Sequence, residues 1–152
     1  MASSNINIEA LYKEVIMDHY KNPANKGIPQ DDDSYHIVNL KNPTCGDDVT
    51  IALKLVGETL QDIRHDGIGC SICCSSASVM SELLAGRTVS EAEELTNNFY
   101  SIVKGETLTQ LQEDDMEEAM AYSGVASFPA RIKCATIPWK ALETALEEIL
   151  ED

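Results

Sequence analysis

Val49, Ile51, Leu53 and Leu55 alternate with Thr50, Ala52 and Lys54. A period of two puts every second side chain on one face, so this stretch reads as a strand buried on one side. Gly57-Glu58 supplies a turn, and a second strand runs from about Thr59 to Asp66, which makes an antiparallel hairpin. Tyr35 to Leu40 reads as a short strand ahead of it. A sheet this small cannot bury its apolar face alone. The rest of the chain must cover that face, and this requirement constrains the fold more than any other feature.

The cover is helical. Ile8, Leu11, Tyr12, Val15, Ile16 and His19 fall on one face at helical spacing, with Asn7 as a cap and Asn22-Pro23 as a stop. After Gly67-Ile-Gly69 breaks the last strand, a helix is predicted from Ser71 to Ala85, closed by Gly86. Ser90 and Glu93 have capping-box spacing and open the next helix, which ends near Gly105. An acidic segment spans about Thr109 to Ala121, residues Gly124 to Phe128 form a loop, and a final helix starts near Pro138. The order, helix then sheet then helices, implies an α+β fold with helices packed on one face of a small antiparallel sheet. No repeat, low-complexity tract or flexible linker divides the chain, so one domain is expected over residues 1–152. Aromatic residues make up only 5%, which leaves the core to Ile, Leu, Val, Ala and Met.

Charge narrows the function classes. There are 26 acidic and 11 basic residues, a net charge of −15. Phosphate backbones and anionic membranes repel such a chain, so neither nucleic acid nor membrane is an expected partner. Met1 to Asn7 lacks the basic and apolar regions of a secretory signal, and no apolar run is long enough to span a bilayer. A soluble, cytoplasmic protein is expected.

Five cysteines remain to be explained: Cys45, Cys70, Cys73, Cys74 and Cys134. An odd number in a reducing compartment argues against a disulfide framework. Cys45 lies in Asn42-Pro-Thr-Cys-Gly-Asp47, a turn before a strand, where a thiol and the Asp47 carboxylate can approach one point. Cys70 lies between a strand end and a helix start, where the helix N-terminus favours a thiolate. Cys134 is expected just ahead of the last helix. Three sulfurs and one carboxylate oxygen would complete a tetrahedral zinc site. Spacing alone leaves this open against buried structural thiols, because free cysteine is often a small core residue. Cys73 and Cys74 are followed by Ser75, Ser76, Ala77 and Ser78, and packing is the favoured reading for them over a redox or sulfur-holding role. Among the histidines, His19 is expected in packing or at a contact surface, His36 has no obvious partner, and His65 is expected beside the site.

These residues together resemble a family. Val15-Ile-Met-Asp-His-Tyr-Lys-Asn-Pro23, Asn42-Pro-Thr-Cys-Gly-Asp47, Gly67-Ile-Gly-Cys-Ser-Ile72 and Lys133-Cys134 are similar, in order, to the motifs of the IscU/SufU/NifU-N-terminal iron–sulfur assembly proteins. The resemblance implies a three-stranded antiparallel sheet and a metal-ligand set of Cys45, Asp47, Cys70 and Cys134. Lys133 stands where scaffold members carry histidine. Phe128-Pro-Ala-Arg-Ile-Lys133 replaces their chaperone-docking motif, and residues are added between about Asn98 and Glu118. All three features resemble the SufU branch. Cys73-Cys74 departs from both branches.

The SufU likeness implies a zinc-dependent sulfurtransferase that takes persulfide sulfur from a cysteine desulfurase, with Cys45 as the exchangeable ligand displaced by a partner histidine. Arg131 and Lys133 would offset the negative charge of three thiolates and a carboxylate around Zn²⁺, with Cys73 and Cys74 as auxiliary thiols. Two alternatives stay open. One is a scaffold that assembles a [2Fe–2S] cluster from iron and sulfide and passes it to downstream assembly proteins or apo-acceptors. The other is a zinc-stabilised interaction module without transfer.

Overall fold

The computed structural model describes residues 2–43 and 46–151, with side chains from residue 12 onward. Helix α1 (Ala2–Lys21) precedes three strands, β1 (His36–Asn42), β2 (Asp47–Val56) and β3 (Thr59–Ile68). These form an antiparallel meander in the order β1-β2-β3. Gly57 takes φ +62° in the two-residue turn between β2 and β3, a conformation that glycine adopts at low cost. Then follow α2 (Ser71–Leu84), α3 (Val89–Val103), α4 (Gln110–Met116), a 3₁₀ segment (Glu117–Ser127) and α5 (Pro129–Glu151). The α+β reading and its three-stranded sheet hold.

Alternation holds along much of the strands, but Ala52, expected on the open face, is fully buried, and Leu55, expected on the buried face, is only half-buried. Val49, Ile51, Leu53 and Ile63 are buried, while Ile37, Gln61 and Asp66 are exposed. Helix α5 packs on β1 and β2, and α2 packs on β3. Tyr12, Val15 and Ile16 of α1 pack against the same core, and His19 is buried beside them. Ile8 and Leu11 lie outside the described side chains.

Several expectations are corrected. Asn7 does not cap α1, because the helix already runs from Ala2. The capping box of α3 is Thr88 with Glu91: Thr88 Oγ1 accepts the Glu91 N–H at 3.2 Å, and Glu91 Oε1 accepts the Thr88 N–H at 3.1 Å. Ser90/Glu93 has the same spacing but sits two residues too late. The stretch before Phe128 is a 3₁₀ helix rather than a loop. The last helix starts at Pro129, and Pro138 lies inside it. Both prolines suit a first turn, but Phe128 has φ −130° and ψ +79°, the non-helical backbone favoured before proline.

The core is also more aromatic than composition suggested. Trp139, Tyr122 and Phe99 are among the largest fully buried side chains. Phe99 stacks on Trp139 with centroids 4.1 Å apart and meets Tyr122 edge-on at 5.6 Å. The small-residue face of α2 makes room for them. Its buried hydroxyls are satisfied: Ser75 Oγ lies 2.6 Å from Tyr122 Oη, and Ser76 Oγ donates to the Ala135 carbonyl and accepts the Trp139 indole N–H.

His36 does find a partner, Glu148 on α5, at 2.7 Å. His65 lines a small cavity together with Cys73 and Cys74. Its Nε2 donates to the Ala24 carbonyl at 2.6 Å, which fixes the tautomer, and burial holds its pKa below 6.5. A histidine kept neutral in the fold takes up its proton more readily when unfolded, so stability is full above about pH 6.5 and is lost as pH falls through the folded value. His65→Gln is expected to flatten the slope of unfolding free energy below pH 6.5, by up to about 1.4 kcal/mol per pH unit, as read by urea titrations.

Candidate metal centre

Asp47 opens β2 opposite Asn42 and is 2% exposed. Its Oδ1 accepts the backbone N–H of Cys70 at 3.2 Å. Its Oδ2 is buried and, among the described residues, has no hydrogen-bond partner. Cys70 is the N-cap of α2, with extended backbone (φ −72°, ψ 168°) and no side-chain hydrogen bond to the helix that follows. Cys134 is not ahead of α5 but inside its second turn, because that helix starts at Pro129. It is fully buried. One donor atom from each of Asp47, Cys70 and Cys134 lies within 4.8 Å of the other two. Cys45, the remaining predicted ligand, falls outside the described residues and stands two positions before Asp47 in the sequence.

Two glycines allow the approach. A Cβ on Gly67 would stand 2.1 Å from the Asp48 carbonyl oxygen, and Gly67 also has φ +152°. A Cβ on Gly69 would stand 2.6 Å from Asp47 Oδ1. The contact at Gly69 is with a side-chain tip, which can be displaced at little cost to the fold. Gly69→Ala is therefore expected to swing the carboxylate out of the cluster. Metal affinity should fall about 10–100-fold, with unfolding free energy lowered by no more than about 1–2 kcal/mol. Competition with a zinc chelator and urea denaturation read the two effects separately.

Arg131, on the exposed first turn of α5, bonds to the Cys134 sulfur and feels the nearby Cys70 charge, which together hold its pKa above the ordinary arginine value. Lys133 is exposed on the same turn. Cys73 is fully buried, and burial together with the charge of Asp47 pushes its thiol well up. Cys74 is half-buried, 3.7 Å from the Gly69 carbonyl, and is raised by burial and by Cys70. A cavity of about 870 Å³ opens alongside, lined by Tyr12, Ile16, Ile72, Val125, Phe128 and Arg131. Sequence reasoning missed this cavity. Its only local signal is that Ile72 and Arg131 stand two and three residues from Cys70 and Cys134.

The donor set suits a metal. Two sulfurs and a buried carboxylate with an unpartnered oxygen form an anionic cluster that needs a cation, and burial of unpaired negative charge is costly. Thiolates select zinc or iron over magnesium or calcium.

Comparison with known proteins agrees with this arrangement. The NifU-like N terminal domain model matches residues 11–147. The chain belongs to this family. It is 43% identical to the zinc-dependent sulfurtransferase SufU of Bacillus subtilis (strain 168), over 93% of this chain and 92% of that protein. It is 37% identical to the iron–sulfur cluster assembly scaffold protein IscU of Streptococcus pyogenes serotype M1, over 97% of this chain and 88% of that protein. A crystal structure of a SufU from Fervidobacterium islandicum AW-1, described as a putative scaffold for the SUF system, superposes with a TM-score of 0.74 at 32% identity, covering 88% of this chain and 94% of that one. Among the described residues, no helix is long and apolar enough to cross a membrane.

Proposed function

We propose that this chain, as one domain over residues 1–152, is a zinc-dependent sulfurtransferase of iron–sulfur cluster assembly that acts in the cytoplasm. It would accept persulfide sulfur from a cysteine desulfurase and pass it to downstream assembly proteins. The observation that carries this reading is the convergence of one donor atom each from Asp47, Cys70 and Cys134 to within 4.8 Å, with the second Asp47 carboxylate oxygen, Oδ2, buried and without a partner among the described residues. The 43% identity to a protein named as a zinc-dependent sulfurtransferase supports it.

Asp47, Cys70 and Cys134 would hold the ion, with Cys45 as the fourth and exchangeable ligand. When bound, zinc supplies the positive charge that keeps these thiols ionised near neutral pH. Cys45 then acts as the nucleophile. Its thiolate attacks the outer sulfur of the desulfurase persulfide, a new S–S bond forms on Cys45, and the desulfurase cysteine leaves as a thiolate. No external oxidant or reductant is consumed. Arg131 lies where it can offset the negative charge of the cluster. Cys73 and Cys74, both raised by burial, act as packing residues and take no part in the transfer.

The scaffold reading rests on the IscU relative, and the same ligands suit an iron-bearing [2Fe–2S] cluster. Native mass spectrometry after incubation with a cysteine desulfurase and cysteine distinguishes them. One zinc and added sulfur on Cys45 support the transferase. Paired iron and sulfide that pass intact to an apo-acceptor support the scaffold.

A further inference from the structure

A second group of ligating side chains lies away from the thiols. His19 of α1, Glu82 of α2 and Glu118 of the 3₁₀ segment place one donor atom each within 4.8 Å of the other two. His19 Nε2 is 3.2 Å from Glu118 Oε1 and 3.5 Å from Glu82 Oε1. The imidazole is 5% exposed, so its aim is set by packing and not by solvent. Its other nitrogen, Nδ1, is 2.8 Å from Ser78 Oγ. That oxygen is itself oriented, because it accepts the Ala24 N–H at 2.8 Å. Metal-bound histidines are commonly held this way, by a hydrogen bond on the nitrogen that does not bind.

The charges around Nε2 are unbalanced. Two carboxylates converge on one ring nitrogen, and among the described residues neither forms an ion pair with lysine or arginine. Glu82 and Glu118 are about half exposed, at 51% and 54%, so water reaches them, and their two negative charges beside one nitrogen favour a cation there. A cavity of about 220 Å³, lined by Glu82, Glu118, Glu117 and Met116 among others, adjoins the group and has room for water ligands.

We propose that His19, Glu82 and Glu118 form a second metal site, which takes a divalent transition-metal ion through one nitrogen and two carboxylate oxygens. Such a site prefers harder ions, Mn²⁺ or Fe²⁺, than the thiolate centre does. With Nδ1–H donated to Ser78, the Nε2 lone pair faces the ion. Because the ligands come from α1, α2 and the 3₁₀ segment, the ion ties the first helix to the body of the protein.

Mn²⁺ is the probe, because it binds thiolates poorly. The full chain, carrying one equivalent of zinc, is titrated with Mn²⁺ and followed by electron paramagnetic resonance. One Mn²⁺ per chain is expected, with imidazole nitrogen coupling in the pulsed spectrum. Glu82→Gln/Glu118→Gln should weaken binding at least about tenfold. The control Glu93→Gln/Glu94→Gln, which removes the same charge from exposed positions on α3, should not. The proposal is overturned if no stoichiometric Mn²⁺ binds, which would leave only a protonated histidine between two carboxylates. It is also overturned if nitrogen coupling is missing, or if both double variants weaken binding equally, as diffuse attraction to an acidic surface would do.

Discussion

Cys45→Ser is expected to abolish sulfur uptake from the desulfurase while leaving the fold intact. A hydroxyl does not ionise near neutral pH, so the variant has no nucleophile at this position. The other thiols do not replace it. Cys73 is fully buried and its thiol is pushed up by burial, so almost none is ionised. Cys74 is also raised by burial. Cys70 and Cys134 are engaged with Asp47 in the cluster. Mass spectrometry should show persulfide on the parent chain and none on the variant, with unchanged circular dichroism. Cys73→Ser/Cys74→Ser should retain uptake. Full uptake by Cys45→Ser would sink the mechanism proposed for this site.

The largest loss of stability is expected at Trp139. Trp139→Ala empties a fully buried site, removes the stack on Phe99 and deletes the indole N–H bond to Ser76. Large-to-small changes of this kind cost about 3–5 kcal/mol. For a chain of this length, that lowers the melting temperature by about 8–15 °C. Trp139→Phe keeps a ring against Phe99 and leaves Ser76 bonded to the Ala135 carbonyl, so it should cost less than half as much. Urea denaturation orders the three proteins. Equal stability of Trp139→Ala and the parent would mean that the aromatic trio does not hold α3 and α5 together. Because Cys134 lies on the same helix as Trp139, zinc retention should fall in parallel with stability in this series.

The two positions show different kinds of legibility. Asp47 and Cys70 were readable because local rules name them: a turn before a strand, and a cysteine at a helix N-cap. Trp139 carried no such signal. A single tryptophan in a chain with few aromatics gives no hint that Phe99 will stack on it or that Tyr122 will meet Phe99, since those contacts span 40 and 23 residues of sequence. The same holds for His36 with Glu148, and for His19 with Glu82 and Glu118.

By itself the sequence determined the α+β order, the alternating strands, the hairpin at Gly57, the helix stop at Gly86 and the ordered motifs that carry the family. These depend on interactions within a few residues, which act before the chain has compacted. It did not determine which of two equally good prolines starts α5, or which of two overlapping capping patterns opens α3. Local rules score both choices alike, and long-range packing selects between them. Only the tertiary structure placed Cys134 inside a helix, brought it to Asp47 and Cys70, and left one Asp47 carboxylate oxygen without a partner among the described residues. Convergence of that kind depends on how α2 and α5 seat on the sheet. The buried surface of the whole core sets that seating, and no single motif encodes it.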